Sequence, residues 1–238
     1  MMKVDSKEKI LLVGFPSNGL VGMFSISYLI HHLKMNKIDE IQVKDIPPTV
    51  FVEDGKILAP IRAYSQNNLF VIVSDVPLDQ FLAIEFVQAI HKFCKKYQIK
   101  KIIIVSGMET IHNQIKTPKI YGLSTHISID EILSKNQIPK FLDGSIFGID
   151  AVFISVFKKT KIPLLFLYAE CNPYFPDPVA SIAAITTLAK VLDVKINTTD
   201  IQKKIEHLRI QHRNLMEETT QTLRQQQEKH TRNPQIYR

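Results

Sequence analysis

The 238 residues are 45% hydrophobic and 22% charged, which supports one sizeable domain or two small ones and excludes disorder of the whole chain. The formal charge is +7, but the basic residues are scattered rather than gathered in one block. That pattern argues against a nucleic-acid-binding protein, although the charge suits an acidic surface.

Along the chain, short apolar runs alternate with longer helical patterns. "KILLVGF" (9–15), "LFVIVSD" (69–75), "KIIIVSG" (100–106) and "IPLLFLYAE" (162–170) are continuous rather than alternating, so they read as strands buried on both faces. Helical patterns fall at about 19–33, 79–97, 149–159 and 178–192. The last begins at Pro178 with Asp177 before it as N-cap. In "PTVFVEDGKILAPIRAYS" (48–65), two β-rich runs flank Asp54-Gly55, a signature of a type I′ hairpin. Segment 107–148 is loop-rich. These elements predict an α/β sandwich of mainly parallel strands with an inserted hairpin.

The composition changes near Lys195, so the expected boundaries are a domain at 1–195, an amphipathic helix at 196–216 and a polar arm at 217–238. Thr199 and Gln202 form a capping box, and Ile201, Ile205, Leu208, His212 and Leu215 mark one helical face. That face packs on the domain or on a partner helix. Beyond Met216 only Leu223 is a sizeable apolar residue before the last few positions. This stretch reaches about 25 Å as a helix or roughly 55 Å extended. It ends on Ile236, Tyr237 and Arg238, two large apolar groups with no local core.

Cys94 and Cys171 lack CxxC or metal-ligand spacing and are expected as reduced thiols in or near a core, which fits a cytoplasmic location. The start "MMKVDSKEKI" is charged where a signal peptide is apolar, and no apolar run reaches the roughly 20 residues of a membrane span.

"GFPSNGLVG" (14–22) lies between the first strand and first helix, as a dinucleotide fingerprint would. Pro16 stands where the second fingerprint glycine belongs, so the structural reading is stronger. Gly14 permits a tight turn, Ser17 or Asn18 caps the helix, and Gly19 and Gly22 share a helix face that approaches another backbone. The helix N-terminus would be the place for an anion. "CNPYFPDP" (171–178) is stiffened by three prolines, and its Tyr174 and Phe175 either plug the sheet edge or are presented as a contact surface.

Ser74, Asp75, Ser106, Gly107, Glu109, His112 and His126 are the material for a hydrolase or phosphorylase, but no spacing assigns base to nucleophile. No catalytic, metal-binding or cofactor-binding set is expected. His31 and His32 read as surface residues.

Taken in order, five motifs resemble the proteasome assembly chaperone two family, the PAC domain family. They are the Gly14–Gly22 turn with Phe15 and Pro16, Asp54-Gly55, Ser106-Gly107, "GSIFG" from Gly144 to Gly148, and "PYFPDP" from Pro173 through Phe175, Pro176 and Asp177 to Pro178. The resemblance covers about residues 8–193, with a family-like helical tail beyond. It departs at Ser17-Asn18, where many relatives have glycine.

The resemblance implies a three-layer α/β/α sandwich with a C-terminal helical extension. It also implies a chaperone that binds proteasome α subunits and assists core-particle assembly, forming homo-oligomers as archaeal relatives tend to. Under it, Ile236-Tyr237-Arg238 resembles the hydrophobic–tyrosine–any-residue (HbYX) tail of proteasome activators and assembly factors. In such a tail the terminal carboxylate pairs with a lysine between α subunits while the apolar and tyrosine side chains fill the pocket. The alternative expectation is a phosphorylase- or hydrolase-like enzyme acting on a small nucleoside, phosphate ester or amide.

Overall fold

The computed structural model describes residues 8–46, 48–53, 55–110, 117–196, 201–203, 205, 206 and 221. Its centre is a seven-stranded sheet in the order β2-β5-β6-β1-β7-β9-β8. The strands are β1 (Ile10–Gly14), β2 (Asn36–Glu40), β5 (Ile61–Gln66), β6 (Leu69–Ser74), β7 (Lys101–Glu109), β8 (Ile120–Ser124) and β9 (Leu164–Cys171). Strands β6, β1, β7 and β9 pair in parallel, whereas β5 and β8 run against their neighbours. Edge strand β2 is antiparallel to β5 and so returns to the common direction. The four parallel strands are those the continuous apolar runs predict, and β1 and β6 are buried at every position.

Burial on both faces follows from strand alternation. Leu12 of β1 joins a core with α1 (Val21–His32) and α5 (Pro178–Leu192), while Leu11 and Val13 join the opposite core under α2 (Gln80–Tyr97) and α4 (Gly148–Phe157). The result is the expected three-layer sandwich. Both thiols are buried and free, and burial pushes the Cys94 thiol up to about 12, so neither is poised as a nucleophile.

Three elements differ from the sequence reading. The 48–65 run contains a hairpin of β3 (Phe51–Glu53) and β4 (Lys56–Leu58), with Gly55 at φ 73°. Its last part is a separate strand, β5, in the main sheet. Pro60 makes the division, since it cannot donate to a ladder, and its carbonyl accepts the Asp75 N–H at 2.9 Å. The loop-rich 107–148 segment holds the end of β7, all of β8 and α3 (Ile127–Lys135). Polar β2 gave no apolar signal, because its side chains are exposed or half-buried at the sheet edge.

Ile201 and Ile205 are fully buried in the α1/α5 core, so the start of the amphipathic face packs on the domain. Thr199, Leu208, His212 and Leu215 lie outside the described residues, as do Asp54, His112 and, apart from residue 221, the arm with Ile236, Tyr237 and Arg238.

Candidate functional site

The two loops singled out in the sequence meet at the C-terminal ends of β1, β7 and β9. After β1, Phe15 turns into the core and stacks on Phe153 with ring centroids 6.2 Å apart. Ser17 is buried, and its Oγ accepts from Ser106 Oγ at 3.4 Å. Asn18 Nδ2 donates to the Gly107 carbonyl at 3.4 Å. These bonds fasten the turn to the end of β7.

Gly19 fastens it to the second loop. Its carbonyl accepts the Asp177 N–H at 2.9 Å. Gly19 has φ 63°, and a Cβ there would press on Asn172, Cys171 and Asp177. It therefore does not share a helix face with Gly22: α1 starts only at Val21, after a 3₁₀ turn. Gly22 alone makes the close approach to the sheet, where a Cβ would overlap the Val105 carbonyl oxygen. Ser17 and Asn18 make no side-chain cap, because their polar atoms are turned to β7 and α1 begins behind Leu20 in the left-handed region.

Asp177 organises the Pro-rich loop. Its Oδ1 accepts from Ala180 N at 2.9 Å, the predicted N-cap of α5, and its Oδ2 accepts from Asn172 N at 3.0 Å. The loop is thus closed at both ends, and Pro176 stays half-buried. Tyr174 and Phe175 are 50% and 67% exposed, so the loop presents them rather than plugging the sheet. Val179, Phe81 at the start of α2 and Phe147 just before α4 are exposed too. Phe81 and Val179 open helices that leave the C-terminal ends of parallel strands β6 and β9, and they border the same edge. Such a broken apolar rim on a stiff frame suits contact with a protein surface.

The serines and acids of the enzymatic alternative do not come together. Ser74 Oγ donates to the Val76 carbonyl at 2.9 Å. Asp75 pairs with Arg62 at 2.6 Å in the interior. Ser106 is committed to Ser17, and Glu109 and His126 are exposed. A cleft of about 320 Å³ lies elsewhere, between α1 and β5, and is lined in part by His31, Lys34, Arg62 and Tyr64. His32 is not simply a surface residue: it stacks on Tyr28 and its Nε2 lies 3.0 Å from the Lys195 carbonyl. No cluster of metal-ligating side chains occurs among the described residues. Among them no helix is long and apolar enough to cross a membrane.

Sequence reasoning missed the buried polar groups behind the turn. Asp150, in the first turn of α4, faces the Ser106 and Tyr168 hydroxyls. Burial pushes its carboxyl up to about 7, and the two hydroxyls only partly oppose this. Burial, then the facing carboxylate, pushes the Tyr168 phenol up as well. Arg62 was likewise overlooked. It donates to the Ala59 carbonyl at 2.7 Å and to Tyr64 at 3.0 Å besides pairing with Asp75. A lone Asp or Arg within an apolar pattern is the one available signal for either.

The profile of the PAC2 family matches residues 11–216. The chain belongs to the PAC2 family. An uncharacterized protein of Methanocaldococcus jannaschii is 23% identical over 204 residues, spanning 86% of this chain and 84% of that one. Among solved structures, PbaA of Pyrococcus furiosus, described as an archaeal homolog of proteasome-assembly chaperone, superposes with a TM-score of 0.83 at 24% identity. The match covers 93% of this chain and 98% of PbaA. PbaB of the same organism, described as an archaeal proteasome activator, gives 0.72 at 20% identity, over 90% and 95% of the two chains. This PAC2 protein thus shares its fold with both, and the family match extends past the α/β domain into the segment that begins with Ile201.

Proposed function

We propose that this PAC2 protein is a proteasome assembly chaperone-like factor that binds proteasome α subunits or the core particle. Ile236, Tyr237 and Arg238 serve as the docking tail. The observation that carries the reading is the fold shared over most of the chain with PbaA and PbaB, whose descriptions name proteasome assembly and activation. The sequence adds an apolar–tyrosine–any-residue ending after a polar arm long enough to act as a tether.

The domain supplies the platform, and 217–233 the reach. A homo-oligomer would display several tails and raise a modest single-tail affinity through effective concentration. Tyr174, Phe175 and the rim around them offer a second, broader contact. No cofactor is required for this role. The enzymatic alternative gains no support from Ser74, Asp75 and Ser106, each buried and held by a different partner.

The test is co-purification of the full chain with free α subunits and with mature core particle. Deletion of Ile236–Arg238 and Tyr237→Ala should each weaken capture while leaving the thermal unfolding of the domain unchanged. Capture unaffected by both removes the tail from the mechanism. Preference for free α subunits would indicate assembly, and preference for the mature particle activation or capping.

A further inference from the structure

Lysines that are scattered in the sequence are gathered by the fold. The parallel strands β6, β1, β7 and β9 begin at one edge of the sheet, and β2 begins there too. Helices α1, α2 and α4 lead into the starts of β2, β7 and β9, while α5 runs back from the end of β9. All four helices therefore end at this edge.

Each of these helix ends is followed by lysine. Lys34 follows α1, and Lys100 lies between α2 and β7, after Lys95 in the last turn of α2. Lys158 and Lys161 stand between α4 and β9. Lys195 follows α5, and its carbonyl lies 3.0 Å from His32 Nε2 at the end of α1. These six side chains are exposed, and among the described residues none is paired with an acid. Two acids of the edge are already engaged by further lysines: Asp39 by Lys96 at 2.8 Å and Glu8 by Lys101 at 3.5 Å.

Helix dipoles explain only part of this. A lysine in the last turn offsets the negative end of its helix, as Lys95 does for α2. The effect fades within a turn, so it does not account for Lys100, Lys161 and Lys195 in the connections beyond. The opposite edge has a different character: exposed Asp79, Glu109 and Asp143 stand there with the rings of the apolar rim. The described domain is thus polarised along its strands.

We propose that the edge where the parallel strands begin is an electrostatic docking surface for an acidic protein surface, separate from the apolar rim and from the C-terminal tail. Strands lie about 4.8 Å apart, so from β2 to β9 the edge spans roughly 25 Å. That breadth matches the ~800 Å² that each partner gives to an ordinary protein interface. Nucleic acid is read through arginine forks and stacked rings. Among the described residues this edge has neither: Arg62 is buried against Asp75, and the Tyr97 ring is covered by Phe93 at 4.4 Å. A lipid surface takes up apolar side chains beside the lysines. Of the exposed large apolar residues described, Ile127 alone lies here, just past the end of β8. Separated ammonium groups on a firm frame act on the rate and orientation of encounter more than on packing.

The experiment is a titration of labelled poly-L-glutamate with the full chain, followed by fluorescence anisotropy. Binding should weaken about tenfold as salt rises from low to physiological strength. Lys158→Glu with Lys161→Glu should weaken it about tenfold at low salt, and so should Lys100→Glu with Lys195→Glu from two other connections. Lys44→Glu with Lys119→Glu makes the same change of charge at the opposite edge and should leave binding within about twofold of wild type. All six side chains are exposed, so the variants should unfold thermally as wild type does. Absence of binding overturns the proposal. Equal losses from all three pairs also overturn it, because net charge alone would then be acting, and so does a loss confined to the 158/161 pair. Tighter binding to duplex DNA or to phosphatidylserine vesicles than to poly-L-glutamate gives the edge to that partner and overturns it as well.

Discussion

The Asp177 N–H donates to the Gly19 carbonyl at 2.9 Å, across 158 positions of sequence. Through that bond the turn after β1 and the loop after β9 become one rigid edge. Asp177 also caps α5 and closes its own loop onto Asn172, so three local structures depend on one side chain and its backbone. Asp177→Ala should cost about 1–3 kcal/mol. Asp177→Asn, which still caps, should cost less. Urea unfolding of the two variants measures the difference, and equal losses would show that the cap contributes nothing.

Gly22→Ala meets a backbone obstacle rather than a movable side chain, the Val105 carbonyl. Either α1 or β7 must shift, with an expected loss of about 1–3 kcal/mol. The change places alanine near the start of a helix, where propensity alone would favour it. A stabilised variant in thermal unfolding would therefore contradict the close approach.

Arg62 and Asp75 are 8% and 6% exposed at their side chains and 2.6 Å apart. Arg62→Met strands a buried carboxylate and should cost about 3–5 kcal/mol. Arg62→Met combined with Asp75→Leu removes both charges and should recover much of that loss. A double-mutant cycle by denaturant unfolding checks the coupling.

Asp150 sets a pH dependence of stability with a definite sign. Its folded carboxyl is near 7, against an ordinary value of 3.8, so the folded state binds the proton more tightly. Its contribution is full below about pH 4, is lost as pH rises towards 7, and is flat above. Asp150→Asn should therefore be more stable than wild type at pH 8, by an amount on the order of a few kcal/mol, with the gap closing as the pH falls to about 4. Thermal unfolding across that range provides the measurement, and a gap that widens in acid reverses the assignment.

Tyr174→Ser and Phe175→Ser remove exposed rings and should leave stability within about 0.5 kcal/mol of wild type. The same pair should weaken capture of α subunits if the rim contributes to the contact. Pull-down alongside thermal unfolding separates the two effects.

Much of this architecture was legible in the chain. The runs at 69–75 and 100–106 had to be buried strands, because only a sheet covered on both faces removes so many consecutive apolar side chains from water. Asp177 and Pro178 announced the start of α5, since a cap and a first-turn proline are local chemistry. Strand β2 was illegible: an edge strand with exposed charges has no apolar period to read. Strand β8 and helix α3 are short and only partly buried, and their hydrophobic residues resemble loop composition until they are packed.

The division between sequence and tertiary structure follows the range of the forces involved. Alternation, caps and turn residues are fixed by neighbours a few positions apart, so the sequence by itself determined the core strands and the principal helices. Which distant residues meet was decided only by folding. Gly19 against Asp177, Ser17 against Ser106, Arg62 against Asp75 and Asp150 against Tyr168 depend on strand order and helix approach. Burial then changed the chemistry of those residues by stripping away water. A carboxyl with no special neighbour in sequence became, in the packed interior, a group that holds its proton near neutrality.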